Sequence, residues 1–145
     1  MRIYVLGSSS FKERMVECSE QLRTLGYDGW IHPHYEAFVR GERQDIMSRW
    51  AKGDPTEHAK IKRENNYLQD HYKGILKSDA ILIVNDEKNG IKNYIGGNVL
   101  IEMGQAYVNG KKIYFLNGMP KGLPYMAEIE TMEPICLNGD LKNIG

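Results

Sequence analysis

The chain has 145 residues, and its 19 lysines and arginines balance its 19 aspartates and glutamates, so the formal net charge is zero. A neutral chain has no long-range positive field to attract a nucleic acid polymer, which argues against that class of partner. The absence of any apolar run near 18 residues argues against a membrane partner. Two cysteines, Cys18 and Cys136, match no metal-ligand spacing and indicate a reducing compartment. We therefore expect one cytoplasmic domain spanning residues 1–145, with both cysteines in its core.

The first part of the chain predicts a strand, a helix and a second short strand. Residues 2–6 are apolar and β-rich, and residues 11–25 place four apolar side chains on one helical face. Residues 30–34 have the composition of a short strand, with Pro33 indicating an edge strand or its end. Residues 35–55 are polar and interrupted by glycine and proline, so we interpret them as a lid or insertion over a site.

The second part alternates between helical and extended patterns. Apolar residues at helical spacing predict one long helix over residues 56–77. The other predicted elements are a strand at 80–84, a helix at 98–109, a strand at 112–116, a helix at 124–132 and a strand at 134–137.

Short strands that alternate with helices predict a parallel sheet, because parallel strands need crossovers and these are normally right-handed helices. We expect an α/β fold, a flavodoxin-like or Rossmann-like three-layer sandwich of about five parallel strands in the order 2-1-3-4-5, with helices on both faces. Ligands bind such sheets at the carboxyl edge where the strand order reverses. That edge would bring together residues 7–10, 85–86 and the loop leading to Asn98.

One carboxylate lies where charged side chains are rare. Glu102 belongs to the mostly apolar stretch 98–107, and we place it in the first turn of the helix after a glycine-containing loop. A buried, ionised side chain is costly unless it is paired, hydrogen-bonded or used in chemistry. The ordinary explanation is that Glu102 complements the partial positive charge of the helix N-terminus or answers a buried donor. The alternative is a functional carboxylate at the ligand-binding edge.

Three segments in order carry a family resemblance: Ile3–Ser8, Gly74–Ile81, and Glu102–Tyr107 followed by Gly110–Lys112. In these segments, and over most of its length, the chain resembles the nucleoside 2-deoxyribosyltransferase superfamily, which includes the deoxynucleoside 5′-monophosphate N-glycosidases. The resemblance implies cleavage of the N-glycosidic bond of a nucleoside or nucleoside 5′-monophosphate, by hydrolysis or by transfer of the (deoxy)ribosyl group. It also implies a small-molecule partner, no cofactor, and a homodimer or larger homo-oligomer.

The resemblance makes Glu102 the nucleophile that attacks the anomeric carbon. A carboxylate beside C1′ stabilises an oxocarbenium-like transition state and forms a covalent sugar ester. We expect the helix N-terminus to keep this acid ionised.

Three more residues are catalytic candidates through the resemblance. The family aspartate on the helix before the central strand aligns with His71, and Asp70 precedes it by one residue. Helical spacing places His71 on the apolar face and Asp70 on a charged, solvated face, which favours His71 as the acid for the leaving base. A core histidine bonded to backbone is the alternative. Tyr4 aligns with a family tyrosine that hydrogen-bonds the nucleophile, and its alternative is an aromatic residue packed in the core.

The candidate substrate-binding residues lie in predicted loops at the carboxyl edge of the sheet. They are Gly7, Ser8, Ser9, Ser10, Asp86, Gly96, Gly97, Asn98 and Asn117. The first four offer backbone N–H groups and hydroxyls to a phosphate or sugar, or form a simple turn. Asn98 suits a helix N-cap, and Asn117 is our candidate for completing a neighbouring subunit's pocket.

Two alternatives remain from the sequence. His32 and His34 have no third ligand at a suitable spacing, so we predict no metal site. A histidine in place of the family aspartate is compatible with a non-catalytic nucleotide-binding or sensing module on the same fold.

Overall fold

Five parallel strands form one sheet in the order β2-β1-β3-β4-β5, in a computed structural model that describes all residues, 1–145. The strands are β1 (Arg2–Gly7), β2 (Asp28–Trp30), β3 (Ala80–Val84), β4 (Lys112–Phe115) and β5 (Ile135–Cys136). All four pairings are parallel. The predicted α/β class and strand order are confirmed.

Seven α-helices surround the sheet. They are α1 (Lys12–Thr24), α2 (Pro33–Val39), α3 (Gln44–Lys52), α4 (Pro55–Glu64), α5 (Tyr67–Leu76), α6 (Gly97–Val108) and α7 (Met126–Thr131). Short 3₁₀ turns at Ser9–Phe11 and Leu141–Asn143 complete the elements. None of the helices combines the length and apolar composition needed to cross a bilayer.

Alternating side chains on the strands build a core layer on each face of the sheet. On one face, Val5 and Leu82 pack with residues of α1 such as Met15. On the other, Tyr4 and Ile83 pack with residues of α5, α6 and α7. This period-two alternation explains why the central strand, β3, is apolar at every position and buried throughout.

The prediction of a strand over residues 30–34 is wrong beyond Trp30. Pro33 instead occupies the first turn of α2, where its missing N–H costs nothing. The His32 side chain caps this helix by accepting a hydrogen bond from the His34 N–H at 3.1 Å. Residues 35–55, which we interpret as a lid or insertion, lie mostly in helices α2 and α3.

The predicted single helix over residues 56–77 is also wrong, because two helices meet at Asn65 and Asn66. Asn65 follows the last residue of α4, and Asn66 adopts a left-handed conformation with φ 54° before α5 begins. Asparagine tolerates this conformation better than most residues, so the two consecutive asparagines mark the break. Cys18 is buried as expected, whereas Cys136 is only half-buried.

Gly74 allows two aromatic rings to pack directly against α5. The Tyr4 and Trp30 rings are stacked with centroids 4.1 Å apart. A Cβ on Gly74 would lie 2.5 Å from Tyr4 Cε2 and 2.7 Å from Trp30 Cη2, closer than packed atoms approach, so the rings or the helix would have to shift. The Trp30 Nε1–H donates to Ser78 Oγ at 2.9 Å, and the Ser78 hydroxyl donates to the Gly74 carbonyl at 2.8 Å.

We expect Gly74→Ala to lower the free energy of unfolding by about 1–3 kcal/mol, because the added methyl overpacks the Tyr4–Trp30 stack. The matched control is Gly104→Ala in α6, where an added Cβ has no neighbour within 4 Å. There, alanine should raise stability by about 0.5–1 kcal/mol through its better helix propensity. Urea unfolding followed by circular dichroism measures both; equal effects at the two positions would contradict the packing argument.

Candidate functional site

A cavity of about 250 Å³ opens at the carboxyl edge of the sheet, beside the end of β1. Its walls come from the β1–α1 loop and from helices α1 to α6. The lining residues are Gly7, Ser9, Ser10, Lys12, His32, His34, Tyr35, Phe38, Ile46, Met47, Trp50, Lys62, Tyr67, Leu68, His71, Asn98 and Glu102. The cavity therefore lies where the strand order predicts a ligand site.

Glu102 is buried in this cavity, with 6% of its surface exposed, and its Oε2 atom has no hydrogen-bond partner. Burial raises the pKa of Glu102 to about 8, and the nearby Lys62 ammonium partly opposes this shift. The expected position in the first helical turn is wrong, because α6 begins at Gly97 and Glu102 lies in its second turn. The helix dipole acts mainly on the first turn, so burial decides the pKa.

Tyr4 and His71 form a buried pair beneath the cavity. The Tyr4 hydroxyl and His71 Nδ1 are 2.7 Å apart and form a hydrogen bond. The resemblance implies a hydrogen bond from Tyr4 to Glu102 instead. Burial, assisted by His32, lowers the pKa of His71 to about 4, and burial also raises the pKa of Tyr4. Both groups are neutral near pH 7. We infer that the Tyr4 O–H donates to Nδ1, which leaves the proton of the imidazole on Nε2.

Asp70 binds a neighbouring histidine and does not line the cavity. Because His32 Nδ1 accepts from the His34 N–H, its Nε2–H is free to donate to Asp70 Oδ2 at 2.9 Å. The helical spacing predicts that Asp70 lies on a solvated, charged face, but the structure shows that it also bonds His32. It orients His32, whose ring centroid lies 5.5 Å from that of His71.

Aromatic rings form one side of the cavity. Tyr35, Phe38, Trp50 and Tyr67 come from helices α2, α3 and α5. His34 Nδ1 lies 2.8 Å from the Tyr67 hydroxyl, and the Trp50 ring stacks on His58 with centroids 3.8 Å apart. These contacts fix the positions of the Tyr67 and Trp50 rings, and an aromatic lining of this kind suits a planar ligand ring.

The β1–α1 loop supplies a polar part of the lining, the polar rim. Gly7, Ser9 and Ser10 line the cavity, together with Lys12 at the start of α1. Ser8 points elsewhere: its Oγ accepts from the Ser10 N–H at 3.3 Å and from Lys88 Nζ at 3.0 Å. Hydroxyls, N–H groups and a lysine together suit an anion.

The remaining predicted binding residues lie outside the cavity, with the exception of Asn98. Asp86 and Asn117 contact each other, since Asn117 Nδ2 donates to Asp86 Oδ1 at 2.9 Å. Gly96 and Gly97 surround the start of α6 without lining the cavity. Asn98 lines it but is not the N-cap, a position that Gly96 occupies.

Several lining residues are absent from the sequence-based candidates: Lys12, Tyr35, Trp50, Lys62 and Tyr67. Tyr35 and Trp50 could have been noticed as aromatic residues in the otherwise polar stretch 35–55, whereas the sequence carries no comparable signal for the two lysines. No group of three or more His, Cys, Asp or Glu side chains is arranged to hold a metal ion.

Comparisons with known proteins give one structural likeness. No family model and no curated protein matches the chain. A solved structure, that of the CMP N-glycosidase BcmB from Clostridium botulinum, is similar with a TM-score of 0.49 and 16% sequence identity, over 95% of this chain and 89% of that chain. A likeness this low does not extend the activity of BcmB to this chain.

The stability of the protein should depend on pH through Glu102. The pKa of Glu102 is about 8 in the folded protein, against 4.5 for an unperturbed glutamate. Between these two pH values the carboxyl group ionises in the unfolded chain but not in the folded one, so stability falls as pH rises from 4.5 to 8. Glu102→Gln removes this penalty. The difference in unfolding free energy between the variant and the wild type at pH 4.5 reflects the substitution itself and serves as the reference. Relative to that reference, we expect the variant to gain about 2–4 kcal/mol over the wild type by pH 8.5.

Urea unfolding at pH 4.5, 6.5 and 8.5 measures this gain. Glu20→Gln, at an exposed position of α1, is the matched control and should show no growing difference with pH. A constant difference between Glu102→Gln and wild type across this range would contradict a raised pKa.

Proposed function

We propose that the protein cleaves the N-glycosidic bond of a nucleoside or nucleoside 5′-monophosphate, with Glu102 as the nucleophile and water or a second base as the acceptor. The observation that carries this proposal is the buried Glu102 carboxyl group, which has an unpartnered oxygen in a cavity lined by aromatic rings and by the serines and lysine of the polar rim. The resemblance of three sequence segments to the nucleoside 2-deoxyribosyltransferase superfamily supports the same reaction.

The parts of the cavity correspond to the parts of a nucleotide. The aromatic wall, which includes Tyr35 and Trp50, suits stacking against a base. Lys12 and the serines of the β1–α1 loop suit a phosphate or the polar end of a sugar. The volume of about 250 Å³ is below the roughly 300–1,000 Å³ of pockets for drug-sized ligands, which favours a compact mononucleotide or nucleoside.

In the proposed first step, ionised Glu102 attacks C1′ of the sugar. The C1′–N bond breaks, its electron pair moves to the base, and a glycosyl ester forms on Glu102. A hydrogen bond from His71 Nε2–H stabilises the charge that develops on the departing base, with Tyr4 holding the imidazole in this tautomer. Water, or another base, then attacks C1′ of the ester, the bond from C1′ to the Glu102 oxygen breaks, and Glu102 leaves as the carboxylate. The proton lost by the attacking group neutralises the departed base anion.

A second candidate function, nucleotide binding or sensing without turnover, is favoured by the pKa of Glu102. At about 8, this pKa leaves the carboxyl group mostly protonated near neutral pH, and a protonated carboxyl is a poor nucleophile. His71, with a pKa of about 4, is neutral there and is a hydrogen-bond donor rather than a strong acid. Such a site binds a nucleotide without requiring turnover.

Base release separates the two functions. We expect the wild type to release base from at least one member of a panel of ribo- and 2′-deoxyribonucleosides and their 5′-monophosphates, assayed with and without a second free base. Glu102→Ala should lower kcat by on the order of 10³-fold or more, because the nucleophile is lost. Chromatography of the free base measures the rate, and Glu20→Gln is the control that should retain it.

Tight ligand binding by calorimetry with no base release by the wild type would contradict the enzyme and favour the sensing module. Release that persists in Glu102→Ala would contradict the role of Glu102 while keeping a glycosidase.

Lys12 should distinguish a phosphorylated substrate from an unphosphorylated one. Lys12→Ala removes a cation at the rim, so we expect kcat/KM for the preferred 5′-monophosphate to fall about 10–100-fold, as for loss of a charged hydrogen bond. The value for the corresponding nucleoside should change little. Lys92→Ala, exposed and outside the cavity, is the matched control. Equal losses on both substrates would show that Lys12 does not contact a phosphate.

A further inference from the structure

Lys62 is a cation at the cavity that takes no part in the steps above. It is half-buried on α4 and lines the same cavity as Glu102. Its Nζ donates to Asn98 Oδ1 at 2.7 Å and lies 5.8 Å from the centroid of the Trp50 ring. An ammonium group in this position is directed by specific contacts and is not a free surface lysine.

The contact with Asn98 places this ammonium close to the nucleophile. Asn98 and Glu102 are four residues apart in α6, and both line the cavity. Side chains at this spacing lie on one helical face, with Cβ atoms about 5–6 Å apart. The hydrogen bond to Asn98 therefore anchors Lys62 on the face of α6 that also carries Glu102, whose Oε2 has no partner in the chain.

The backbone of Lys62 is also fixed. Ile61, its neighbour in α4, is fully buried. Arg49 of α3 donates to Glu57 and to Glu64, both at 2.6 Å, and so ties α3 to both ends of α4. The packing of α4 consequently fixes the point from which the Lys62 side chain extends.

We propose that Lys62 is a positioning residue: held by Asn98, it presents its ammonium group to Glu102 and favours the ionised carboxylate that attacks the sugar. This role rests on the proposed function of Glu102 as the nucleophile. The electrostatic pairing itself is measurable without any turnover.

Of the two lysines that line the cavity, Lys12 and Lys62, only Lys62 shifts the pKa of Glu102. The nearby groups without positive charge near neutral pH are Tyr4 from β1, Tyr35 from α2 and His71 from α5. Burial raises the pKa of Tyr4 and of Tyr35, each further raised by Glu102, and burial lowers the pKa of His71 to about 4. Lys62 opposes the raised pKa of Glu102, and Glu102 in turn opposes the lowering of the Lys62 pKa by burial.

The test compares Lys62→Met with Lys60→Met, a control at an exposed position of the same helix. Carbon-detected NMR of the labelled Glu102 carboxyl group follows its titration in the wild type and in each variant. We expect Lys62→Met to raise the pKa of Glu102 by about one unit, because an opposite charge is removed. Lys60→Met should leave it unchanged, and Lys62→Arg should restore the wild-type value because it keeps the charge.

Base release gives the second measurement. In Lys62→Met the rise of kcat with pH should move upward by the same unit, which gives about a tenfold lower kcat at pH 7 with KM nearly unchanged. Thermal unfolding at pH 5 checks that the variant is folded.

A Glu102 pKa that does not move in folded Lys62→Met, or that moves equally in Lys60→Met, would overturn the proposal. If the pKa moves as expected but neither the wild type nor any variant releases base, the electrostatic pairing of Lys62 with Glu102 stands and the proposed reaction fails. If Glu102 is required for base release but its pH profile is the same in Lys62→Met, the reaction stands and the role of Lys62 fails.

Discussion

The burial of the Glu102 carboxyl group is the constraint on which the rest of the site depends. Helices α2, α3 and α4 cover the carboxyl edge of the sheet and withdraw this group from water, which raises its pKa to about 8. The same exclusion of water strengthens every charge interaction inside the cavity. A structure that only needed a stable helix at this position would be better served by an apolar residue, because one oxygen of Glu102 satisfies no donor in the chain.

The core and the site are connected through α5. Gly74 lets the Tyr4–Trp30 stack approach this helix. His71, less than one turn earlier, is held by its hydrogen bond with the Tyr4 hydroxyl. Tyr4 therefore serves two layers at once: its ring fills the core, and its hydroxyl sets the imidazole tautomer. A substitution that displaces the stack would disturb the His71 imidazole at the cavity as well as the packing, so the stability of the core and the geometry of the cavity are coupled here.

The sequence predicts the sheet well, because its order follows from apolar runs and helical crossovers. It fails at 33–34 and 65–66, where a proline at a helix start and two consecutive asparagines decide the local structure. Within the site, Glu102 and His71 are identifiable because they interrupt apolar patterns. Lys62 and Trp50 are not, since the side of a short amphipathic helix that meets the cavity depends on how α3 and α4 pack across the sheet edge. Asp86 and Asn117 are the opposite case, in which the sequence predicts binding residues that do not line the cavity. Both follow parallel strands, as binding residues often do, but their side chains contact each other.

Charge balance gives the two lysines of the cavity separate roles in the proposed reaction. Near neutral pH the free site holds a mostly protonated Glu102 and a neutral His71, because burial favours the uncharged form of each. A phosphorylated substrate would bring negative charge into the same space and make ionisation of Glu102 still harder. A single cation near the phosphate would offset the phosphate charge but would leave the Glu102 carboxylate without a positive partner. In the proposed reaction, Lys12 at the rim balances the phosphate and Lys62 balances the nucleophile, so that neither anion forms at the expense of the other.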